Sequence, residues 1–346
     1  MTDNEGMTEE LANELSPDLA EKFLEAIEAL GEGLQQRVLL QAIEARDLPS
    51  ILALLHLDEA KYFWPLREAM RNVFNRAGEG TLEALRSNQP GARGFQVQAR
   101  WEGDNPRASA WVTKKSSDLI TAITQEQKEN VRRVLNQGFE DRVPPAKTAQ
   151  RLVGKINPVT KKREGGVIGL SGPQASLLER VRVALESDPP DWPYYRSLKT
   201  RNSNLDGPVK RAWEAGQPLG SVHTDKALVA MKNRLLKLRA DTIARTESLT
   251  GVHRAQWEAM EQQIERGVLK RDQVEKVWSA TMDNRTRESH RDLNNVKKPF
   301  NEPFVSPTTG ELMMHPGDSS LGAEGEDVIM CRCHMYIRVD WMRGLT

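Results

Sequence analysis

Residues 274–290 read VEKVWSATMDNRTRESH, and Cys331-Arg332-Cys333 follows further along the chain. Val274, Lys276, Trp278 and Ala280 alternate with Glu275, Val277 and Ser279, a period that predicts a strand with both faces partly covered. Asp283, Arg285, Thr286 and Arg287 come directly behind it, where a carboxylate and a guanidinium pair bidentately and also hold loop backbone groups. Arg285 or Arg287 is the expected partner of Asp283. Phe304 and Val305, the turn Pro307-Thr308-Thr309-Gly310 and Leu312 to Met314 read as a hairpin. Val328 to Val339 reads as a closing strand. The C-terminal part is therefore expected to be an α+β unit whose small antiparallel sheet carries Trp278 and Cys331.

Upstream the period changes to that of helices. A long helix is expected from Thr224 and Asp225, with Leu228, Met231, Leu235, Leu238, Thr242 and Thr246 on one face. Ala244-Arg245-Thr246-Glu247 closes it, a second helix runs from Val252 to Ile264, and Arg245 and Glu247 offer further partners to the Asp283 network. Near the start, Ser16 and Pro17 read as the cap and first residue of a helix that Gly31 and Gly33 stop. Tyr62 to Phe74 supplies an aromatic helical cluster that Gly78 and Gly80 break. Pro90, Gly91 and Gly94 precede an alternation at Phe95, Val97, Ala99 and Trp101, with Trp111 and Val112 as a returning strand. A helix follows from Ser117, another after Pro144-Pro145, and a third from Ala175 to Leu185. Residues 155–171 read as a flexible basic loop, and 189–195 as an irregular linker. The expected class is α+β, predominantly helical, in four parts: a helical N-terminal region (1–87), acidic over residues 3–32, an extended or hairpin arm (88–116), a helical central region with basic loops (117–223) and the C-terminal unit (224–346).

Lys and Arg together number 49, as do Asp and Glu, so net charge gives no reason to expect a dedicated nucleic-acid binder. No apolar run approaches the ~20 residues needed to cross a bilayer, and the first residues lack the basic and apolar regions of a signal peptide. A soluble chain with no membrane partner is expected. Cys331 and Cys333 are the two cysteines, and one residue between them rules out a disulfide scaffold.

Taken in order, Ala244-Arg245-Thr246-Glu247, Trp278, Asp283, Arg285-Thr286-Arg287, His290, Gly310, His315-Pro316 and Cys331-Arg332-Cys333 resemble the phage head morphogenesis family. Its founding example is the minor head protein F of bacteriophage Mu. The resemblance covers about residues 117–340 and is most specific from Trp278 to Cys333. It implies a structural component of the virion, not an enzyme, present in the host cytoplasm during assembly. Its implied partners are the portal protein, the major capsid or scaffold protein and packaged DNA, with roles in head morphogenesis and in DNA packaging or ejection. No cofactor and no small-molecule substrate are expected.

Two alternatives use the same residues. His290, His315, Cys331 and Cys333 are soft donors of the kind zinc takes in a tetrahedral site. Some members of the family carry Cys-x-x-Cys where this chain has Arg287 and His290, and an arginine cannot ligate a metal. His290, Asp292, Asn294 and His315 can also be read as a His-Asn-His nuclease centre, although residues 317–326 form a loop where that fold needs a helix. A further non-enzymatic reading is an internal head protein that contacts DNA through the basic stretches 155–163 and 198–211.

Overall fold

The computed structural model describes residues 5–32, 36–57, 60–88 and 98–343. In chain order the helices and strands are α1 (Glu5–Glu32), α2 (Gln36–Glu44), α3 (Leu48–Leu54), α4 (Trp64–Ser87), α5 (Pro106–Glu140), α6 (Pro145–Val153), β1 (Lys155–Ile156), β2 (Arg163–Glu164), α7 (Gly172–Glu186), α8 (Trp192–Ser197), α9 (Asp206–Glu214), α10 (Ser221–Glu265), β3 (Val274–Ser279), α11 (Glu288–Asp292), β4 (Lys297–Pro299), β5 (Phe304–Val305), β6 (Leu312–Met313), α12 (Gly325–Val328) and β7 (His334–Val339). The fold is mostly helical, with small antiparallel sheets. Two compact units divide the chain: one holds Met1–Glu21, Leu66–Ser116 and Asp241–Thr346, the other Lys22–Pro65 and Ser117–Ala240.

In the first unit β3 is the central strand of the sheet β4-β3-β7, antiparallel to both neighbours, with Trp278 opposite Met335 and Ser279 opposite His334. Both faces of β3 are covered, and Val274, Lys276, Val277 and Trp278 are all buried. Trp278 packs with Leu249, Leu293, Phe304, Met313, Val328 and the two cysteines. A second cluster gathers Leu82, Leu85, Ala99, Met260, Leu269, Val274 and Phe300.

The two helices expected over 224–264 are a single helix, α10, so Ala244 to Glu247 lies inside it and closes nothing. Its second half buries a polar stripe because the neighbouring chain is irregular and its peptide groups need partners. Gln262 and Gln263 bracket residues 100–102: the Gln263 side chain accepts from Arg100 N at 3.2 Å and donates to Arg100 O at 3.1 Å, and Gln262 does the same for Glu102 at 3.0 and 3.1 Å. Two glutamines thus take the place of a partner strand. Of the expected arm, Pro90 to Val97 lies outside the described residues; Trp111 and Val112 lie in α5 and form no returning strand.

Gly78 and Gly80 do not break α4. A Cβ on Gly78 would stand 2.4 Å from the Trp101 indole, so the absent side chain lets that ring lie against the helix. Pro17 likewise sits inside α1, whose buried stripe runs through Ala12, Leu15, Leu19 and Phe23 across it. Burial outweighs the local stop and start signals at both places.

The second unit is helical apart from the β1–β2 hairpin. Residues 165–171, expected as a flexible loop, are pinned. Gln127 Nε2 and Asn130 Nδ2 donate to Leu170 O at 3.0 and 2.8 Å, Gly169 N donates to Gln127 Oε1 at 2.7 Å, and Arg239 Nη1 donates to Gly169 O at 2.9 Å. Ser171 caps α7 in a reciprocal box with Gln174. The linker expected at 189–195 contains α8, started by Asp191, whose carboxylate accepts from Tyr194 N at 3.0 Å.

Candidate metal centre

Behind β3 the chain turns through residues 281–287 into α11. Asp283 organises this turn, its Oδ1 accepting from Arg285 N at 2.9 Å and from Thr286 Oγ1 at 3.2 Å. Thr286 also donates to Thr281 O. The bidentate partner of Asp283 is Arg332, with Nη1 donating to Oδ2 at 2.6 Å and Nη2 to Oδ1. This corrects the expected pairing with Arg285 or Arg287. Arg285 is mostly exposed with Nε 3.9 Å from Asp283, and Arg287 donates to Ile329 O at 2.6 Å. The Arg332 guanidinium holds the Asp283 carboxyl well below the usual carboxylate range, with the Arg285 backbone N–H adding to the effect.

That clamp also sets where the cysteines point. Met330 takes a left-handed backbone (φ 56°), so the strand expected from Val328 begins only at His334, and Cys331 to Cys333 enters it as irregular chain. With Arg332 held by Asp283, the flanking thiols share the other side and meet one ring. His290 Nδ1 is 3.6 Å from Cys331 Sγ and 3.5 Å from Cys333 Sγ. All three residues are buried. The Trp278 ring meets His290 edge-on at 5.2 Å between centroids.

The other imidazole nitrogen, His290 Nε2, stands 3.3 Å from Asp327 Oδ1. Asp327, at the end of α12, is held by Thr309 Oγ1 at 2.8 Å and Ser289 Oγ at 3.3 Å. Burial pushes its carboxyl up, but hydrogen bonds from Thr309 and Ser306 and the neighbouring His290 outweigh this and hold it below the usual range. Within the thiol pair, the contacts with Cys331 and then with His290 lower Cys333, while the same Cys331–Cys333 contact and burial push Cys331 up.

His315 does not join this group. Among the described residues, the cluster of donors within 4.8 Å of one another is His290, Cys331 and Cys333. His315 instead packs 5.5 Å from His253, and the Pro316 carbonyl faces Nδ1 of both rings, at 2.8 Å from His253 and 3.1 Å from His315. Met335 N donates to His253 Nε2 at 3.0 Å, which places the His253 proton on Nδ1 and leaves the ring neutral. No functional role is assigned to His253 from the sequence. Its signal was the polar stripe Thr246, Thr250, His253 at helical spacing, since Thr250 Oγ1 also donates to Gly317 O at 3.1 Å.

The nuclease constellation is not assembled. Asn294 Oδ1 accepts from Ala280 N at 3.0 Å, a loop-holding role, Asp292 is exposed, and His290 and His315 belong to separate groups. Arg245 and Glu247 also stay apart from Asp283, and Glu247 pairs with Lys115 at 3.2 Å.

The chain has no match among curated proteins or among solved structures. Residues 210–336 match the family described as Phage Mu protein F like protein, a span that contains β3, α11, the Asp283–Arg332 clamp and both cysteines. Through those residues the C-terminal part of the chain is similar to the Mu F-like family.

Proposed function

We propose that this protein is a minor head protein that acts with the portal in head morphogenesis and is retained in the virion. The observation that carries the reading is the family match over residues 210–336. The interior of the first unit is consistent with it. Its buried histidines and glutamines and the part-exposed Asp283–Arg332 pair hold irregular loops in one arrangement, a use that suits a rigid assembly part. Portal protein, major capsid or scaffold protein, and packaged DNA are the proposed partners, in that order. Direct DNA contact through the basic stretches is the weaker reading, because several of their cations face acids: Lys155 is 2.6 Å from Asp225, Lys162 is 2.5 Å from Glu28, and Arg201 is 3.0 Å from Asp206. No helix among the described residues is long and apolar enough to cross a membrane.

The test is a nonsense mutation in this reading frame in the phage that carries it, followed by electron microscopy of the heads and a pull-down with the cognate portal protein. The reading expects aberrant or unfilled heads and co-purification with the portal. Normal infectious heads without the protein, or nicking of plasmid DNA with added Mg2+ that disappears in His290→Ala, would overturn it.

A further inference from the structure

We propose that His290, Cys331 and Cys333 form a zinc site, with Nδ1 of the histidine and the two sulfurs as ligands and Asp327 as the residue that orients the histidine. The first support is spacing. Zinc takes nitrogen at about 2.0–2.1 Å and thiolate sulfur at about 2.3 Å, so a tetrahedral site separates N from S by about 3.6 Å. The two N···S separations here are 3.5 and 3.6 Å. Both separations match those of ligands on one tetrahedral ion, and all three donor atoms lie within 4.8 Å of one another.

The second support is the histidine's far side. His290 Nε2 is buried, makes no hydrogen bond of good geometry, and faces the carboxylate of Asp327 at 3.3 Å. That neighbour places the ring proton on Nε2 and leaves the Nδ1 lone pair directed at the sulfurs. The arrangement is the carboxylate–histidine–metal relay that fixes tautomer and ring angle in zinc proteins. Asp327 is in turn fixed by Thr309 and Ser289.

The third is charge. A divalent ion with two thiolates and a neutral imidazole is electrically neutral, which suits a place where all three ligands are buried. Three protein ligands leave one tetrahedral position to a small donor such as water. The ligands lie 41 and 43 residues apart in sequence, so the ion would tie α11 to the segment entering β7 across the intervening β5–β6 hairpin. Its role is a clip on the fold, and the inference is independent of the portal reading.

The test uses the full chain, purified with its thiols reduced and stripped of metal. Titration with Co2+ is expected to load a single ion per chain, with thiolate-to-cobalt charge-transfer absorption, intense tetrahedral visible bands, and displacement by Zn2+. Asp327→Asn is expected to weaken binding by about 10- to 100-fold, while His315→Ala leaves it unchanged. The native-chain titration does not depend on any variant folding. Failure of the folded, reduced native chain to take up stoichiometric Co2+, or unchanged binding after Cys331→Ser with Cys333→Ser, would overturn the site.

Discussion

The two compact units bury their polar groups differently. In the second, the buried polar side chains among the described residues are Thr124, Gln127, Asn130, Thr148, Thr224 and Arg239, and three of these converge on the Gly169–Leu170 loop. The rest of that core is apolar helix packing. In the first unit His253, Gln256, Glu258, Gln262, Gln263, Lys276, His290, His315, Asp318, Asp327 and His334 are all buried around a small sheet and long irregular connections. Helices satisfy their own peptide groups, whereas connections do not, so a unit that contains long irregular connections must supply side-chain partners from within. The Mu F-like residues are therefore polar and internal for a reason of backbone accounting.

The difference can be broken first at its apolar anchor. Trp278→Ala removes a fully buried ring packed on His290, Phe304 and both cysteines, and is expected to cost about 3–5 kcal/mol in urea unfolding. A loss under about 1 kcal/mol would mean that the ring is not central to the unit. The matching probe of the second unit is Arg239→Met, which leaves Gly169 O and Glu126 without their guanidinium partner. A cost of about 2 kcal/mol is expected, with faster amide exchange confined to residues 165–172.

Acid sharpens the contrast. Burial, followed by the neighbouring His315 and His334, lowers His253 well below the usual imidazole value, and burial lowers His315 against the opposing effect of Asp318. Arg254 and Lys276 also face His315 and disfavour its charge. The unfolded chain thus binds these protons at higher pH than the folded chain does. Stability is full above about pH 6.5 and falls as the pH drops below it, by up to about 1.4 kcal/mol per pH unit for each ring. His56 and His223, in the second unit, are exposed. Segment-resolved hydrogen exchange at pH 7 and pH 5 should show the loss in the first unit, and equal loss in both would contradict the assignment.

The smallest effect expected has the opposite sign. Lys276 is buried in β3, its Nζ donating to Met314 O at 2.7 Å above the Phe304 ring, and burial pulls its ammonium down to about 7. Its folded value lies below that of the free side chain, so holding the proton at neutral pH costs stability. Lys276→Met is expected to raise the unfolding free energy by about 1 kcal/mol at pH 7, the release of the desolvation penalty exceeding the loss of one carbonyl partner. A fall in stability would show that the Met314 bond dominates.

The sequence made legible whatever was periodic. The alternation over 274–280 matches β3, the turn at 307–310 matches the β5–β6 hairpin, and the helix after Pro144-Pro145 matches α6. What it hid depends on contacts distant in sequence. Gly78 stays helical because Trp101 covers it, residues 100–102 are served by two glutamines more than 150 residues away, and the β7 boundary is set by the left-handed Met330. In the site, the nearness of the two thiols followed from their spacing. The partnership of Asp283 with Arg332 did not, because nearer arginines offered the same chemistry and the choice is made by the chain's return through β7.

The central claim is that the sheet, α11 and the cysteine segment form one body held through Trp278, His290 and the Asp283–Arg332 clamp. Hydrogen exchange on the native chain and on Asp283→Asn tests it most directly. The account expects residues 288–292 and 331–339 to lose protection together in the variant while α7 keeps its own. Loss confined to residues 281–287, with the cysteine segment still protected, would contradict it.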